Sequence, residues 1–468
     1  MGAPLPVDTL YLSVRELSER IRKKELSPVA LAGAYLDRLE SLGPSLGAVV
    51  TVTRDVALAE AKRAEGEIAA GRWRGPLHGI PYGVKDLLAT KGIPTTWGAE
   101  PYRNQVFDYD ATVVARLREA GAVLLGKLSM VELAGGLGYN NADASFTGPG
   151  RTPWNVRYWS GGSSSGPGAA TAAALVAFSI GSETSGSIIT PAAFSGVAGL
   201  RPTYGRVSRH GAMALCWTLD KLGPMARTAE DCGLVMAVIA GQDPLDPTSL
   251  DRPWTLRPAA ERRWRIGVLK DSATKAQPVV TKNFETSIEV LRDFCEVVDD
   301  VEFPDFPYGP AVSTIVQAEG ASAFRDLIES GATQTLRQAN DTWGGFAASV
   351  VPAVDYLQAM RLRAPMKRAL DALYARYDAL VAPSRQTVSY PIGVDFDKAY
   401  PNVGGGPAVI PAGNLAGQPA LSLLNGFGAE GLPTGFQLTG RAFGDETLVA
   451  IGAEYQRRTD WHTRRPPV

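Results

Sequence analysis

The sequence predicts an α/β protein with a large, mixed and mostly parallel β-sheet flanked by helices. Three apolar runs are typical of buried strands, at 79–84, 122–125 and 265–269. Segments with helical periodicity lie between or after these runs, at 110–120, 228–241, 281–297 and 353–376. Strands that alternate with helices in this way indicate an α/β fold.

The segment 8–72 precedes the first of these strands and is predicted to be helical. Its apolar pattern indicates two amphipathic helices, and Ser27-Pro28 is a start signal for the second. Serine caps a helix, and proline suits the first helical position because its missing N–H has no partner there anyway. No internal repeat is visible. A length of 468 residues suits either about three domains of ordinary size or one large α/β domain, and we expect one domain over 1–468.

Residues 158–200 form the most unusual stretch of the sequence. Their 43 positions carry one charged side chain, Glu183. Gly, Ser, Ala and Pro are abundant, so the stretch is too polar to span a membrane. It predicts the packed centre of a large domain, in which a serine-based site would be shielded from water.

Three later segments are expected to lie nearer the surface. Residues 241–264 are rich in Pro and charge, which is typical of a long surface connection. Residues 300–352 hold Pro, Gly and aromatic clusters and are interpreted as an insertion, or cap, over the main body. Together with 384–412, this cap would form the mouth of the pocket.

Charge and cysteine content narrow the class of protein. The 468 residues contain 47 Lys and Arg against 48 Asp and Glu, a net charge of −1. Such a balance does not favour a nucleic-acid or membrane partner. The three distant cysteines show neither metal spacing nor a disulfide framework, and Asp8 and Glu16 interrupt any signal-peptide run. We therefore expect a cytoplasmic protein without a metal.

Two motifs point to chemistry that the surrounding residues do not support. Gly121–Lys127 nearly fits a phosphate-binding loop, but Leu128 replaces the Ser or Thr that would hold Mg²⁺, and its middle is apolar. The run 162–166 fits the G-x-S-x-G nucleophile elbow with Ser164 as nucleophile. That mechanism needs a downstream histidine, and only His210 and His462 follow.

A third pattern needs no histidine. Lys85 ends an apolar run, Ser163 lies in a Gly/Ser turn, and Ser187 follows 24 residues later. A desolvated lysine has a lowered pKa, so it can draw a proton through one hydroxyl from a second serine that attacks a carbonyl. Small residues around Ser187 leave backbone N–H groups to hold an oxyanion. The competing interpretation is that Lys85 is a buried cation paired with Asp86.

Five blocks of the sequence resemble the amidase signature enzymes, in the order found in that family. They are HGIPYGVKDL, GKLSMVELAGG, NVRYWSGGSSSGPGAATAAAL, GSETSGSIITPAAFSGVAGLRPTYGRVSR and GLPTGFQLTG. The resemblance covers nearly the whole chain and implies the amidase signature fold. It also implies a Ser–cis-Ser–Lys triad, with Ser187 as nucleophile, Ser163 as the bridging serine after a cis peptide bond, and Lys85 as the base.

The resemblance extends to the groups around the triad. It implies that the oxyanion hole is formed by the backbone N–H groups of Thr184, Ser185, Gly186 and Ser187. It places Gly136 and Leu137 at the substrate-binding wall of the acyl pocket.

The sequence also departs from the family pattern at several positions. Ser165 and Ser185 stand where Gly is common, and Glu183 stands where Asp is frequent. Ile189 replaces an Arg, which argues against acidic substrates and suggests a more apolar site that suits neutral, including aromatic, molecules.

The resulting prediction is a hydrolase of neutral amides, esters or carbamates, an amidase with urethanase and esterase activity. It would act through an acyl-enzyme, as a monomer or homodimer, without a cofactor and without a nucleic-acid or membrane partner. The alternative is the glutaminase-type subunit of a tRNA-dependent amidotransferase, which residues 199–232 resemble closely. Ile189 and the absence of a basic run for tRNA argue against that alternative.

Overall fold

One sheet of eleven strands organises the described part of the chain, which in this computed structural model comprises residues 5–252, 254–255 and 263–468. The strands are β1 (Val49–Val52), β2 (Pro81–Lys85), β3 (Val123–Leu128), β4 (Phe178–Glu183), β5 (Ala198–Arg201), β6 (Lys221–Ala226), β7 (Trp264–Leu269), β8 (Cys295–Val301), β9 (Ala379–Pro383), β10 (Ala420–Phe427) and β11 (Pro433–Thr439).

Sixteen α-helices are found in the same ranges. They are α1 (Val7–Leu10), α2 (Val14–Arg22), α3 (Pro28–Leu42), α4 (Arg54–Ala69), α5 (Thr112–Glu119), α6 (Ser165–Ala172), α7 (Ile189–Ser195), α8 (Ala229–Ile239), α9 (Pro278–Arg292), α10 (Tyr308–Ala323), α11 (Arg325–Glu329), α12 (Ala339–Ala348), α13 (Ala353–Tyr374), α14 (Phe396–Ala399), α15 (Val409–Ala416) and α16 (Asp445–Arg458). None of these helices is both long enough and apolar enough to cross a bilayer.

The sheet is mixed and flanked by helices, as predicted. Its strand order is β1-β3-β2-β4-β6-β5-β10-β11-β9-β7-β8. Four of the ten strand pairs in the described residues are parallel, namely β2 with β3 and β4, and β7 with β8 and β9. The parallel share is smaller than expected, because short connections such as the one between β10 and β11 can join only antiparallel strands.

The N-terminal part holds more elements than the two helices predicted for 8–72. Helix α3 begins at the predicted place, where Ser27 Oγ accepts a hydrogen bond from Ala30 N at 3.1 Å and Pro28 occupies the first position. Strand β1 was not expected. All four of its residues are β-branched and half-buried, and the strand pairs antiparallel with β3. Four residues are too short a pattern to predict a strand from the sequence.

A second boundary also differs from the prediction. The helical pattern at 281–297 ends as helix α9 at Arg292, and Cys295–Val301 forms the edge strand β8 beside β7. The valines of this segment are compatible with a helix or a strand, and the segment forms a strand because it pairs with β7.

Residues 158–200 form the packed centre that their composition predicts. Helix α6, strand β4, helix α7 and strand β5 are buried along their whole lengths. In the segment interpreted as a cap, 300–352, the chain forms helices α10, α11 and α12. The predicted surface connection at 241–264 falls partly outside the described residues.

Candidate active site

Lys85 is the last residue of β2, a strand that is buried over its whole length. The strand is held between β3 and β4 by parallel pairing on both sides. The Lys85 side chain is fully buried, and its Nζ donates hydrogen bonds to Ser163 Oγ at 2.7 Å and to Ser182 Oγ at 2.9 Å. Two hydroxyl groups therefore fix the amine in the interior.

Burial also decides the protonation of this amine. It lowers the pKa of Lys85 to about 7, although the carboxylates of Asp220 and Glu183 act in the opposite direction. The cause is loss of hydration, which disfavours the charged form of a buried lysine. A large fraction of Lys85 is therefore neutral near pH 7 and able to accept a proton.

Ser163 lies in the turn that leads into helix α6. The peptide bond between Gly162 and Ser163 is cis, in agreement with the resemblance. Gly161 has φ = +89°, and a Cβ added there would lie 2.6 Å from Pro191 Cα, so only glycine fits this close approach. The Ser163 carbonyl accepts a hydrogen bond from Val131 N at 3.1 Å, which fixes the turn against the neighbouring chain.

Ser187 lies between β4 and α7, in the segment 184–187 expected to form the oxyanion hole. Gly186 has φ = +93°, and its carbonyl accepts a hydrogen bond from Thr190 N at 2.8 Å. Ser187 O accepts a hydrogen bond from Ser164 N at 3.3 Å, which joins the two serine turns. The Ser187 side chain faces a cavity, and within the described residues its hydroxyl makes no hydrogen bond.

Glu183 anchors the chain on both sides of Ser187. Its Oε2 accepts hydrogen bonds from Ile188 N at 2.9 Å and Ile189 N at 3.1 Å, and its Oε1 accepts from Arg201 Nη1 and Asn414 Nδ2, both at 2.9 Å. Burial acts to raise the pKa of Glu183, but Arg201 and the hydrogen bond from Asn414 outweigh it and lower the pKa to about 2. The carboxylate thus stays ionised at the start of α7.

Asp220 holds the other end of the 184–187 segment. Its Oδ1 accepts a hydrogen bond from Thr184 Oγ1 at 2.6 Å, and its Oδ2 accepts from Leu215 N and Cys216 N, both at 2.9 Å. Sequence reasoning did not identify Asp220 or Arg201 as part of the site. The neighbouring sequence does not indicate a role for either residue. Arg201 acts through Glu183, which is 18 positions away, and Asp220 acts through Thr184, which is 36 positions away.

A cavity of about 560 Å³ opens in front of Ser187. The predicted wall residues Gly136 and Leu137 line it, as do Thr184 and Ser185. Residues of α10 and α12, from the segment interpreted as a cap, also line it. Among the described residues the lining contains no Asp, Glu, Lys, Arg or His side chain, so the cavity suits an uncharged group.

Ile189, Ser164 and the segment 123–128 do not line the cavity in front of Ser187. Ile189 is fully buried beside Glu183 and does not line the cavity, so it does not make the cavity wall more apolar. Ser164 is also buried, and its Oγ donates to Ser182 O at 3.1 Å rather than to a histidine. The segment 123–128 is strand β3 and not a phosphate-binding loop.

Comparison with protein-family models identifies the Amidase family over residues 30–449. The chain is 38% identical over 483 residues to the A subunit of glutamyl-tRNA(Gln) amidotransferase from Roseiflexus sp. (strain RS-1), with 97% of this chain and 98% of that protein covered.

Two solved structures are similar over nearly the whole length. The peptide amidase from Stenotrophomonas maltophilia has a TM-score of 0.87 and 32% identity, with 99% of both chains covered. The A subunit of glutamyl-tRNA(Gln) amidotransferase from Thermotoga maritima has a TM-score of 0.79 and 27% identity, with 98% of this chain and 97% of that one covered.

Proposed function

The chain belongs to the amidase signature family, whose enzymes act on C–N bonds, and we propose that it hydrolyses neutral amides, esters or carbamates through an acyl-enzyme on Ser187. The observation that carries the proposal is the hydrogen bond from buried Lys85 Nζ to Ser163 Oγ, beside the cavity that Ser187 faces.

The proton moves along this chain of groups. Neutral Lys85 accepts the Ser163 proton while Ser163 accepts the proton of Ser187, whose oxygen attacks the substrate carbonyl carbon. The backbone N–H groups of 184–187 donate to the oxyanion that forms. The tetrahedral intermediate then collapses, and the leaving amine or alcohol takes the proton back through Ser163. Water attacks the acyl-enzyme by the same relay, which releases the acid and restores Ser187.

The uncharged cavity lining supports the choice of neutral substrates. A charged group transferred from water into this cavity would lose its hydration without gaining a counter-ion. The cap helices α10 and α12 would close one side of the cavity and select the shape of the acyl part. On this proposal the chain acts alone, as a monomer or homodimer, on small molecules that include aromatic ones.

The second candidate is the ammonia-releasing component of a tRNA-dependent amidotransferase. It is supported by the 38% identity to A subunits of glutamyl-tRNA(Gln) amidotransferases over almost the whole chain. Glutamine, the ammonia donor in that candidate, carries an ammonium and a carboxylate group. The described lining of the cavity in front of Ser187 offers no oppositely charged side chain to either group. Arg209 and Asp246 do line an adjoining cavity that shares Thr184 with it, so the activity on glutamine decides between the two candidates.

Purification of the chain alone tests the proposal. We expect it to cleave members of a panel of chromogenic anilides, esters and carbamates, and to hydrolyse L-glutamine at least 100-fold less efficiently. A fluorophosphonate probe should add one adduct at Ser187, and Ser187→Ala should abolish turnover. Glutamine hydrolysis that appears only with added partner proteins would favour the second candidate, and an adduct on Ser164 would contradict the assigned nucleophile.

A further inference from the structure

Glu319 lies on the cap helix α10, and its carboxyl group holds the turn 215–220 between β5 and β6. Glu319 is 1% exposed. Its Oε2 accepts hydrogen bonds from Thr218 N at 3.1 Å and Cys216 Sγ at 3.2 Å, and its Oε1 accepts from Thr218 Oγ1 at 2.8 Å and Tyr356 OH at 3.0 Å. All four donors are neutral groups, so each of these contacts is a hydrogen bond and none is an ion pair.

Asp220 holds the same turn from its other end and joins it to the segment 184–187. Asp220 Oδ2 accepts hydrogen bonds from Leu215 N and Cys216 N, and Asp220 N donates to Cys216 O at 2.8 Å. Asp220 Oδ1 accepts from Thr184 Oγ1 at 2.6 Å. Cys216 therefore contacts Asp220 through its backbone and Glu319 through its side chain. A continuous path of hydrogen bonds leads from the cap helix to Thr184.

Helix α13 binds the turn at the same residue as Glu319 does. Arg363 Nη2 donates to Thr218 O at 3.2 Å, and Arg363 Nε donates to Leu415 O of α15 at 3.0 Å. Thr218 is thus bonded to α10 and α13 through its N–H, its hydroxyl group and its carbonyl oxygen. Glu319 is not among the residues that line the cavity in front of Ser187. Any effect of Glu319 on the reaction is therefore indirect.

We propose that Glu319 is a positioning residue that keeps the segment 184–187 in place through the turn 215–220. The inference rests on the proposed function, in which backbone N–H groups of this segment hold the oxyanion. Such donors act over hydrogen-bond distances of about 2.7–3.1 Å, so a small shift at Thr184 weakens them. Loss of the Glu319 contacts would free Thr218 and Cys216, and Asp220 would move with the turn.

The two oxygens of Glu319 face different kinds of donor, which decides the substitutions that the turn tolerates. Oε2 contacts a backbone N–H and a thiol, whereas Oε1 contacts the hydroxyl groups of Thr218 and Tyr356, which can rotate and accept instead. The amide group of glutamine fits both sides, since its oxygen replaces Oε2 and its NH₂ group replaces Oε1. Methionine has a similar length but offers only a weakly accepting sulfur. We therefore expect Glu319→Gln to preserve the turn and Glu319→Met to release it.

Steady-state kinetics on a neutral p-nitroanilide test this role. Glu319→Met should lower kcat at least tenfold and change KM less than threefold, because the residues that line the cavity are unchanged. Glu319→Gln should keep kcat within threefold of the parent. Each kcat is referred to the sites that a fluorophosphonate probe titrates to completion, so unfolded protein does not count. Parent-like kcat in Glu319→Met, an equal loss in both variants, or a loss confined to KM would overturn the proposal.

Asp231→Leu is the matched control for loss of a buried carboxyl group. Asp231 is also 1% exposed, and it accepts hydrogen bonds from Val14 N at 3.0 Å and Arg15 N at 3.2 Å at the start of α2. It lines neither the cavity in front of Ser187 nor the adjoining one. We expect this variant to be less stable in urea with unchanged kcat. A tenfold loss of kcat would show that any loosening of the interior slows the reaction, which would overturn the specific role of Glu319.

A double-mutant cycle identifies the route from Glu319 to the segment. Thr184→Val removes the hydroxyl group that donates to Asp220 Oδ1. If Glu319 acts through this contact, adding Glu319→Met to Thr184→Val should lower kcat by less than threefold, because coupled residues are not additive. A further tenfold loss would overturn the route through Asp220.

Hydrogen–deuterium exchange needs no substrate, so it separates failure of this inference from failure of the proposed function. In Glu319→Met, amide exchange should become at least tenfold faster in peptides that cover 213–221 and 182–190. In Glu319→Gln and Asp231→Leu it should match the parent in both peptides. If the parent cleaves no substrate, the proposed function is wrong, and exchange still decides whether Glu319 positions the segment. Unchanged exchange at 182–190 in Glu319→Met would overturn the inference.

Discussion

Asp86 Oδ1 lies 3.1 Å from Lys127 Nζ, and both side chains are fully buried. The other Asp86 oxygen accepts a hydrogen bond from Thr96 N at 3.0 Å, and Lys127 Nζ donates to Thr95 Oγ1 at 2.6 Å. Asp86 is thus paired with the lysine of strand β3 and not with its own neighbour, Lys85. This arrangement excludes the interpretation of Lys85 as the partner of Asp86 and leaves its amine bonded to hydroxyl groups.

The first prediction concerns the pH dependence of turnover. Since the pKa of Lys85 is lowered to about 7 and the neutral amine is the proposed base, kcat/KM should rise with pH below about 7 and level off above it. The rise should approach tenfold per pH unit well below the pKa. Steady-state kinetics on a neutral anilide from pH 5 to 9 measure the profile. A flat profile would remove Lys85 as the group that must lose its proton.

The second prediction distinguishes leaving groups. Lys85→Ala removes the relay that returns a proton to the departing amine, whereas an activated phenol departs as its anion. We expect amide turnover to fall by several orders of magnitude and activated-ester turnover to fall much less. The ratio of the two rates, measured on protein whose folding is verified by circular dichroism, is the readout. An unchanged ratio with amide turnover within tenfold of the parent would contradict the relay.

The third prediction compares two fully buried lysines. The pKa of Lys85 is lowered from 10.5 in the unfolded state to about 7 in the folded state, so the unfolded state binds the proton more tightly. The folded state is therefore destabilised as the pH falls from 10.5 towards 7, and the whole of this destabilisation is present below about pH 7. Lys85→Met should therefore raise the free energy of unfolding at pH 7, and the gain should shrink as the pH approaches 10.5.

Lys127→Met is the matched variant and should act in the opposite direction. Burial lowers the pKa of Lys127 as well and raises the pKa of Asp86, but the two groups form an ion pair. The substitution leaves the Asp86 carboxyl group buried without that partner, and breaking a buried pair typically costs about 3–5 kcal/mol. Urea unfolding of both variants at pH 7 and pH 9.5 measures the difference. Destabilisation of similar size by the two substitutions would contradict the view that Lys127, unlike Lys85, belongs to a structural ion pair.

The sequence predicted the elements whose signal is local. The strand that ends at Lys85 and the start of α3 at Ser27-Pro28 follow from apolar runs and a capping pair. Strand β1 and the boundary between α9 and β8 depend on pairing with distant strands, which a short stretch of sequence does not reveal.

The same distinction applies to the site. The resemblance indicated the three residues proposed as the triad, and the structure brings Lys85 to Ser163 and the Ser163 turn to the Ser187 turn. Arg201 and Asp220 were missed because their roles are defined only by the partner that folding brings to them. The effect assigned to Ile189 was wrong, because its side chain turned out to be buried away from the cavity.

The last prediction concerns the length of the carboxylate side chain at position 183. Glu183 reaches the first N–H groups of α7 with one oxygen and Arg201 with the other. Glu183→Asp withdraws the carboxyl group by one methylene, so it cannot keep both sets of contacts unless the backbone moves. Loss of the contacts to α7 would loosen the chain that follows Ser187, and loss of the Arg201 contact would leave a buried cation unpaired. We expect the unfolding free energy to fall by about 2–3 kcal/mol and kcat to fall at least tenfold.

Glu446→Asp is the control, since Glu446 forms a buried ion pair with Arg206 outside the site. This variant should lower stability but leave kcat unchanged. Full kcat in Glu183→Asp would show that the position of Ser187 does not depend on this carboxylate.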